Sequence, residues 1–298
     1  MSVTVPLPCD ILFLGLARNC ARTLPNFFRF IAELRGAGLR VRAAIGENGS
    51  TDDTRALLLE HFRADASVEI LATDFMATIP ERLPRMAAGR EFLRLHASKN
   101  HPATHHVCVV DLDSVFAAPP TVAAFVSSLD RLAADASLFA VAANSKPRYY
   151  DLLALRCEGL FMENLQHTII RAKRNPLTYR STLARCVHDA QKRVSASSLR
   201  HCVSAFNGLC LYRAEPYYAH SYIDARDRES CEHVVLNTAI HASTGSHVLI
   251  DDGLIVTAPP EHLREQPLRF YTVRLLRLMR IVPIWFAGSG PLGSGDRP

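Results

Sequence analysis

Residues 106–113, HVCVVDLD, pass from an apolar run straight into two carboxylates, Asp111 and Asp113. The run from Val107 to Val110 predicts a strand over His106 to Val110 that is covered on both faces, with Cys108 as a small core side chain rather than a reactive thiol. Where that strand leaves the sheet, Asp111 and Asp113 can meet a hard divalent cation, which in turn can neutralise a diphosphate. An isolated Asp-x-Asp pair is also compatible with a turn or a solvated edge, so its neighbours in the chain decide its meaning.

Upstream, strands and helices alternate. Asp10 to Ala17 is a nearly continuous apolar strand, left by a loop over Arg18 to Thr23. Thr23-Leu24-Pro25 reads as a helix start, with Phe27, Phe28, Ile31 and Leu34 on one side until Gly36 and Gly38 stop it. A second buried strand covers Leu39 to Ile45, followed by a turn and helix cap at Gly49 to Thr54, a helix to about Ala64 and a short strand over Val68 to Leu71. A charged helical stretch from about Glu81 to Lys99 leads into the strand quoted first. Three successive strand-loop-helix units predict a mainly parallel sheet with functional loops at the strand ends.

Downstream, Pro119 and Pro120 precede a helix, then a strand over Leu138 to Ala142. Residues 144–202 mix aromatic and basic groups with little periodicity and predict donor or acceptor loops with one or more helices. Ser204 to Tyr212 reads as a strand interrupted at Asn207-Gly208, Glu232 to Ala242 as a helix, and Val248 to Val256 as one or two short strands. Leu268, Tyr271, Leu275, Leu278 and Val282 then recur near helical spacing beside Arg269, Arg274, Arg277 and Arg280, ahead of Trp285 and Phe286. This basic amphipathic helix over 263–286 suits peripheral contact with an anionic membrane, and equally a cover for the catalytic domain or for a partner. The Gly/Ser/Pro-rich residues 287–298 predict a flexible tail.

The 298 residues are 48% hydrophobic, enough for one sizeable core, so a single domain over 1–262 is expected. The formal charge of +5 is spread along the chain, which suits an anionic nucleotide donor or an acidic membrane surface. No concentrated basic groove motif or stacking module points to nucleic acid. Eight cysteines, none in a CxxC pair, argue against a zinc ribbon or thioredoxin-like site and for a reducing compartment. The N-terminal apolar stretch lacks a basic leader and is too short for a membrane span. A cytoplasmic location is therefore expected, free or at the cytoplasmic face of the membrane.

The first strand, the loop Glu47-Asn48-Gly49-Ser50-Thr51-Asp52-Asp53-Thr54 and the Asp111/Asp113 pair resemble, in order and spacing, the donor-site elements of GT-A glycosyltransferases. Tyr149-Tyr150-Asp151-Leu152-Leu153-Ala154-Leu155-Arg156, Phe206-Asn207-Gly208 and Cys231-Glu232-His233 extend the resemblance, through about residue 262, to bacterial relatives of the fungal capsule-associated mannosyltransferases. It implies an α/β fold of the GT-A type: a single Rossmann-like α/β/α sandwich with a mixed, mainly parallel central sheet, a donor-binding half over about 8–115 and an acceptor half over about 140–262. It also implies transfer of a sugar, mannose favoured, from a GDP-sugar or UDP-sugar to a glycan or glycolipid acceptor with Mn²⁺ or Mg²⁺.

Carried onto this chain, donor contacts fall on Ala17, Arg18, Glu47, Asn48, Asp52, Asp111, Leu112 and Asp113. The family's loop has two acidic residues before Gly-Ser; here Glu47 precedes Asn48, so Glu47 is the candidate base or ribose contact and Asn48 a neutral hydrogen-bonding group. Asp52 either touches the nucleotide or caps the next helix. Tyr149 and Tyr150 can stack on a sugar or base, Asp151 can accept sugar hydroxyls, Arg156 can contact phosphate or brace Asp151, Asn207 can bond a hydroxyl, and Gly208 can admit the donor closely. Core tyrosines, an Asp151/Arg156 ion pair and a strand bulge account for the same residues without a ligand. Glu232 is the candidate catalytic base, or a stabiliser of the helix start it occupies. His233 orients it, approaches phosphate, or is structural. His262 is the candidate third metal ligand, with His247 or water as alternatives. In an inverting reaction Glu232 would deprotonate the acceptor; in a retaining one it would need another role. The alternatives are a metal-dependent sugar nucleotidyltransferase, for which Arg18 and Arg22 would cradle phosphate, and an inactive GT-A scaffold serving as a carbohydrate-binding or membrane-adaptor protein.

Overall fold

A computed structural model describes residues 10–263 apart from 176–178, 180, 181, 183, 198, 199 and 228. They belong to one compact unit that runs to Leu263. The stretch expected as an amphipathic helix and tail lies beyond the described residues, and no described helix is long and apolar enough to cross a membrane.

The chain opens with β1 (Asp10–Ala17), α1 (Leu24–Gly36), β2 (Arg40–Glu47), α2 (Thr54–His61), β3 (Val68–Ala72), a 3-10 turn at Asp74–Thr78, α3 (Arg82–Asn100) and β4 (His106–Asp111). A second 3-10 turn (Ser114–Ala117), α4 (Val122–Ala134) and β5 (Leu138–Lys146) follow. Next come α5 (Leu165–Lys173), a π turn (Ala184–His188), α6 (Asp189–Ala196), β6 (Arg200–Cys202), β7 (Leu209–Arg213), α7 (Ala214–Ala219), α8 (Glu232–Thr244), β8 (His247–Thr257) and α9 (Pro260–Leu263).

Among the described residues, eight strands form one sheet in the order β3-β2-β1-β4-β7-β5-β8-β6. The pairs β1–β2, β2–β3, β1–β4 and β5–β8 are parallel, whereas β7 runs antiparallel to both β4 and β5, and β6 antiparallel to β8. The result is the expected mixed, mainly parallel sheet. Successive residues of β1 point to opposite faces: Ile11 and Phe13 join one core, Leu12 and Leu14 the other. Residues of α1, α2 and α4 complete the first core and residues of α3, α6, α7 and α8 the second, giving three layers. Phe13 anchors the first, meeting Phe27 and Phe30 edge-on at 6.1 and 6.3 Å and stacking on Phe125 at 5.7 Å. Such aromatic pairs add about 0.5–1.5 kcal/mol each beyond the area they bury.

Two local readings change. Asn207 and Gly208 stand outside β7, both at positive φ, 55° and 82°, so the expected strand begins only at Leu209. Over 247–257 the structure has one long strand, whose pairing with β5 shifts register between Ala143 and Asn144. In register, Ala17 lies opposite Glu47 and Leu16 opposite Asp111, so β1, β2 and β4 end together. Chain order reverses on either side of β1, and that reversal opens a crevice at the carboxyl ends of the strands.

Candidate active site

The loops leaving β1 and β2 are laced together. Asn19, at φ 53°, accepts a hydrogen bond from the Thr51 amide on its Oδ1 (2.8 Å) and donates its own amide to Ser50 Oγ (3.1 Å). The Cys20 amide donates to Thr54 Oγ1 at 2.8 Å. Asp52 is exposed and accepts from the amides of Thr54 (3.0 Å) and Ala21 (3.2 Å), so it ties the two loops together. Glu47 is buried beneath this layer, accepting from the Ser50 amide at 2.7 Å and pairing with Arg55 at 3.2 Å. Asn48 alone of that pair reaches the cleft. Thr23, the expected helix start, donates its hydroxyl to the Leu112 carbonyl at 2.6 Å and so ties the β1 loop to the β4 edge.

Above these loops lies a cleft of about 490 Å³. Of the expected site residues, Ala17, Arg18, Asn48, Asp111, Leu112, Asp113, Tyr150, Asp151, Glu232 and His233 line it. Asp111 and Asp113 project from the end of β4, and Asp113 Oδ1 also accepts from the Val115 amide at 3.1 Å. Glu232 begins α8 from the opposite wall. One residue that sequence reading passed over joins them: Arg90 of α3, 3% exposed, places Nη2 2.6 Å from Asp111 Oδ1 and Nε 3.1 Å from Glu232 Oε1, with its guanidinium 4.9 Å over the Phe206 ring. Burial alone would ease its proton off, but the Asp111 and Glu232 charges more than reverse that and hold it firmly cationic. Burial raises the Asp111 carboxyl, against the pull of Arg90. His233 stacks on Phe206 at 3.6 Å, and burial followed by the Arg90 charge holds it far below its usual pKa, so the ring is neutral. Its Nε2 is 3.7 Å from Glu232 Oε1.

Asn207 and Gly208 shape the cleft from behind. Asn207 is fully buried; its Oδ1 accepts from the amides of Tyr150 and Asp151, both at 3.3 Å, and its Nδ2 donates to the Ala143 carbonyl at 3.1 Å. The expected sugar-hydroxyl contact therefore gives way to a positioning role, because the amide is engaged by these backbone groups and by the Ser145 hydroxyl, which donates to Oδ1 at 3.4 Å. Gly208 is packed against the Tyr150 hydroxyl, which a Cβ would meet at 2.5 Å, so its missing side chain makes room for Tyr150. Tyr149 is completely buried in the second core, and Tyr150 alone reaches the cleft. Arg156 also departs from expectation: it donates to the carbonyls of Leu155 (2.6 Å) and Leu153 (3.3 Å), away from the cleft. His247 stands beside His241 and His201 and does not line the cleft either, while the His262 side chain lies outside those described.

Asp151 is the group whose titration this environment changes most usefully. Burial, and then the Asp111 charge, push its carboxyl up to about 6. Since the folded value exceeds the unfolded 3.8, the native state holds a proton the unfolded chain releases, and stability falls as pH rises from about 4 through 6. Above that window the ionised group costs about 3 kcal/mol. Asp151→Asn is accordingly expected to raise the melting midpoint at about pH 7.5 and to change it little at about pH 4.5, as thermal circular dichroism at both values would show.

The cleft can hold a cation and an anion together. Asp111 and Asp113 offer hard carboxylate oxygens of the kind Mn²⁺ and Mg²⁺ prefer, with open space for water or phosphate oxygens, and no third His, Cys, Asp or Glu joins them within ligand range among the described residues. Arg18, Arg82 and Arg85 line the same cleft and favour a multiply charged anion.

No family model matches the sequence, and no curated protein matches it. Among solved structures, glucosyl-3-phosphoglycerate synthase from Mycobacterium tuberculosis, in complex with Mn²⁺, UDP and phosphoglyceric acid, is 14% identical over 88% of this chain and 73% of that one, with a TM-score of 0.48. A mannosyltransferase from Pyrobaculum calidifontis in complex with GDP-mannose and Mn²⁺ is 11% identical over 94% and 65%, with a TM-score of 0.47. Mannosyl-3-phosphoglycerate synthase from Rubrobacter xylanophilus is 12% identical over 84% and 65%, with a TM-score of 0.42. At these identities and scores none of them lends a role or a residue to this chain.

Proposed function

We propose that this protein is a glycosyltransferase whose cleft binds a nucleoside-diphosphate sugar and passes the sugar to a hydroxyl of a glycan or glycolipid. One observation carries the reading: the Asp111 carboxylate ending β4 and the Glu232 carboxylate beginning α8 converge on a single buried arginine, in a cleft at the strand ends that Asp113 also lines. The cleft volume falls within the range of small-ligand sites, about 300–1,000 Å³. The catalytic domain extends to about residue 262, its donor-binding half over about 8–115 supplying Arg18, Asn48, Asp111 and Asp113, and its acceptor half over about 140–262 supplying Tyr150, Asp151, Glu232 and His233. The motif resemblance favours mannose, carried on GDP or UDP. A lipid-borne acceptor would suit the basic stretch from Arg269 to Arg280.

Asp111 and Asp113 would hold Mn²⁺ or Mg²⁺, which when bound supplies Lewis-acid stabilisation of the departing diphosphate. Arg18, Arg82 and Arg85 add fixed positive charge where the leaving group gains its negative charge. Tyr150 and Asp151 bound the sugar pocket, Asp151 accepting sugar hydroxyls. In an inverting reaction Glu232, its angle fixed by Arg90, takes the acceptor's proton as the hydroxyl oxygen bonds the anomeric carbon from the opposite face and the bond from that carbon to the diphosphate breaks.

Product analysis tests the reading. Incubation with GDP-mannose or UDP-sugars, Mn²⁺ and a lipid-linked or free glycan acceptor is expected to release GDP or UDP in equal amount to sugar transferred. Release of pyrophosphate from a nucleoside triphosphate and a sugar phosphate would instead identify a nucleotidyltransferase, and donor binding with no release under any acceptor would identify a scaffold without turnover.

A further inference from the structure

Away from the cleft, β3 and the end of α3 bring together three groups that the proposed chemistry does not use. Glu69 follows Val68 on β3, so it points to the sheet face that α3 covers. Its Oε2 lies 2.9 Å from His96 Nε2 and its Oε1 lies 2.6 Å from His101 Nε2. His96 sits in the last turns of α3 and His101 is its C-terminal cap, so both rings turn back over the strand. One ligand atom from each of the three residues falls within 4.8 Å of the others. All three are partly buried, with side-chain exposures of 36% for Glu69, 18% for His96 and 13% for His101, which leaves an open side for a fourth ligand.

The geometry points to a second divalent-metal site here, of the Zn²⁺ class, held by Glu69, His96 and His101. Two imidazole nitrogens and a carboxylate oxygen are a donor set that zinc takes readily, whereas Mn²⁺ and Mg²⁺ prefer the all-oxygen pair in the cleft. Zinc bonds of about 2.0–2.2 Å require ligand atoms roughly 3.3 Å apart, so the two Glu69–His contacts need to open by less than about 1 Å, while all three ligand atoms already lie within 4.8 Å of one another. Each imidazole would exchange its Nε2 proton for the metal and carry its proton on Nδ1. Asn100 lies 3.1 Å from His96 Nδ1, and rotating that amide would present its oxygen to the Nδ1–H.

The location suggests a clip rather than a catalyst. Among the described residues, β3 is the edge strand of the sheet and is bonded only to β2. Helical rise places His96 about 9 Å along α3 from Arg90, on the side away from the cleft. A metal would fasten this edge to the helix that carries Arg90.

Titrating Zn²⁺ into metal-free full-length protein against a competing chromophoric chelator tests the proposal. Wild type is expected to take one Zn²⁺ per chain at this site and to melt higher in its presence. The His96→Gln/His101→Gln variant, whose amide nitrogens stand near the Nε2 positions and can still donate to Glu69, should lose that uptake and the rise in Tm. Asp111→Ala/Asp113→Ala should keep both. Co²⁺ on unmutated protein supplies a readout independent of variant folding: visible ligand-field bands of a four-coordinate, histidine-bound ion. Absence of stoichiometric zinc uptake by wild type, equal uptake by the histidine variant, or loss of uptake only in the aspartate variant would overturn the assignment, the last tracing the metal to the cleft.

Discussion

Arg90→Leu is expected to destabilise the protein by about 3–5 kcal/mol, the loss typical when one partner of a buried ion pair is removed. Leucine keeps much of the packing against Phe206 but leaves the Asp111 and Glu232 carboxylates facing each other without their shared cation. Arg90→Lys should recover only part of the loss, because one ammonium cannot form the two-pronged bridge of a guanidinium. Urea denaturation would measure both values. The deficit should shrink as pH falls and the buried Asp111 carboxyl takes up a proton, since the repulsion then weakens. A loss below about 1 kcal/mol for leucine at neutral pH would mean that the bridge adds little to its surroundings.

Glu232→Gln is expected to lower kcat by about 10²–10⁴ while leaving donor affinity within a few fold. The amide keeps the shape and the oxygen that receives the Arg90 hydrogen bond, so the fold and the Asp111 geometry should persist, but it cannot take a proton. Single-turnover kinetics with donor, Mn²⁺ and acceptor separates the two effects. Retained kcat with weakened donor binding would move Glu232 from the reacting hydroxyl to the donor. Unchanged values for both would remove it from the mechanism.

The pattern of residues made the parallel half of the sheet legible because each unit carries its own punctuation: an apolar strand, a polar loop and a capped helix. The Asp111/Asp113 edge was legible for the same reason, as a strand that stops in carboxylates. Asn207 was misread because type and local sequence cannot reveal that its amide would turn inward to three backbone groups. Arg156 was misread for a similar reason, its guanidinium closing on nearby carbonyls. Arg90 escaped notice although a signal existed. It shares the buried stripe of α3 with Gly89, Leu93 and Ala97, and an arginine in such a stripe demands an acidic partner. That partner is Asp111 together with Glu232, 142 residues away in sequence, a separation that no local periodicity encodes.

The central claim is that the cleft recognises a nucleoside-diphosphate sugar through a metal held by Asp111 and Asp113. Calorimetry with GDP-mannose, GDP-fucose, UDP-glucose, UDP-galactose and UDP-N-acetylglucosamine, with and without Mn²⁺, measures it directly. The account predicts that one nucleotide class binds selectively, that removing Mn²⁺ weakens it at least tenfold, and that Asp111→Ala and Asp113→Ala each abolish the metal dependence. Folded protein that binds no donor, or binds one equally well without Mn²⁺ and in both aspartate variants, would contradict it.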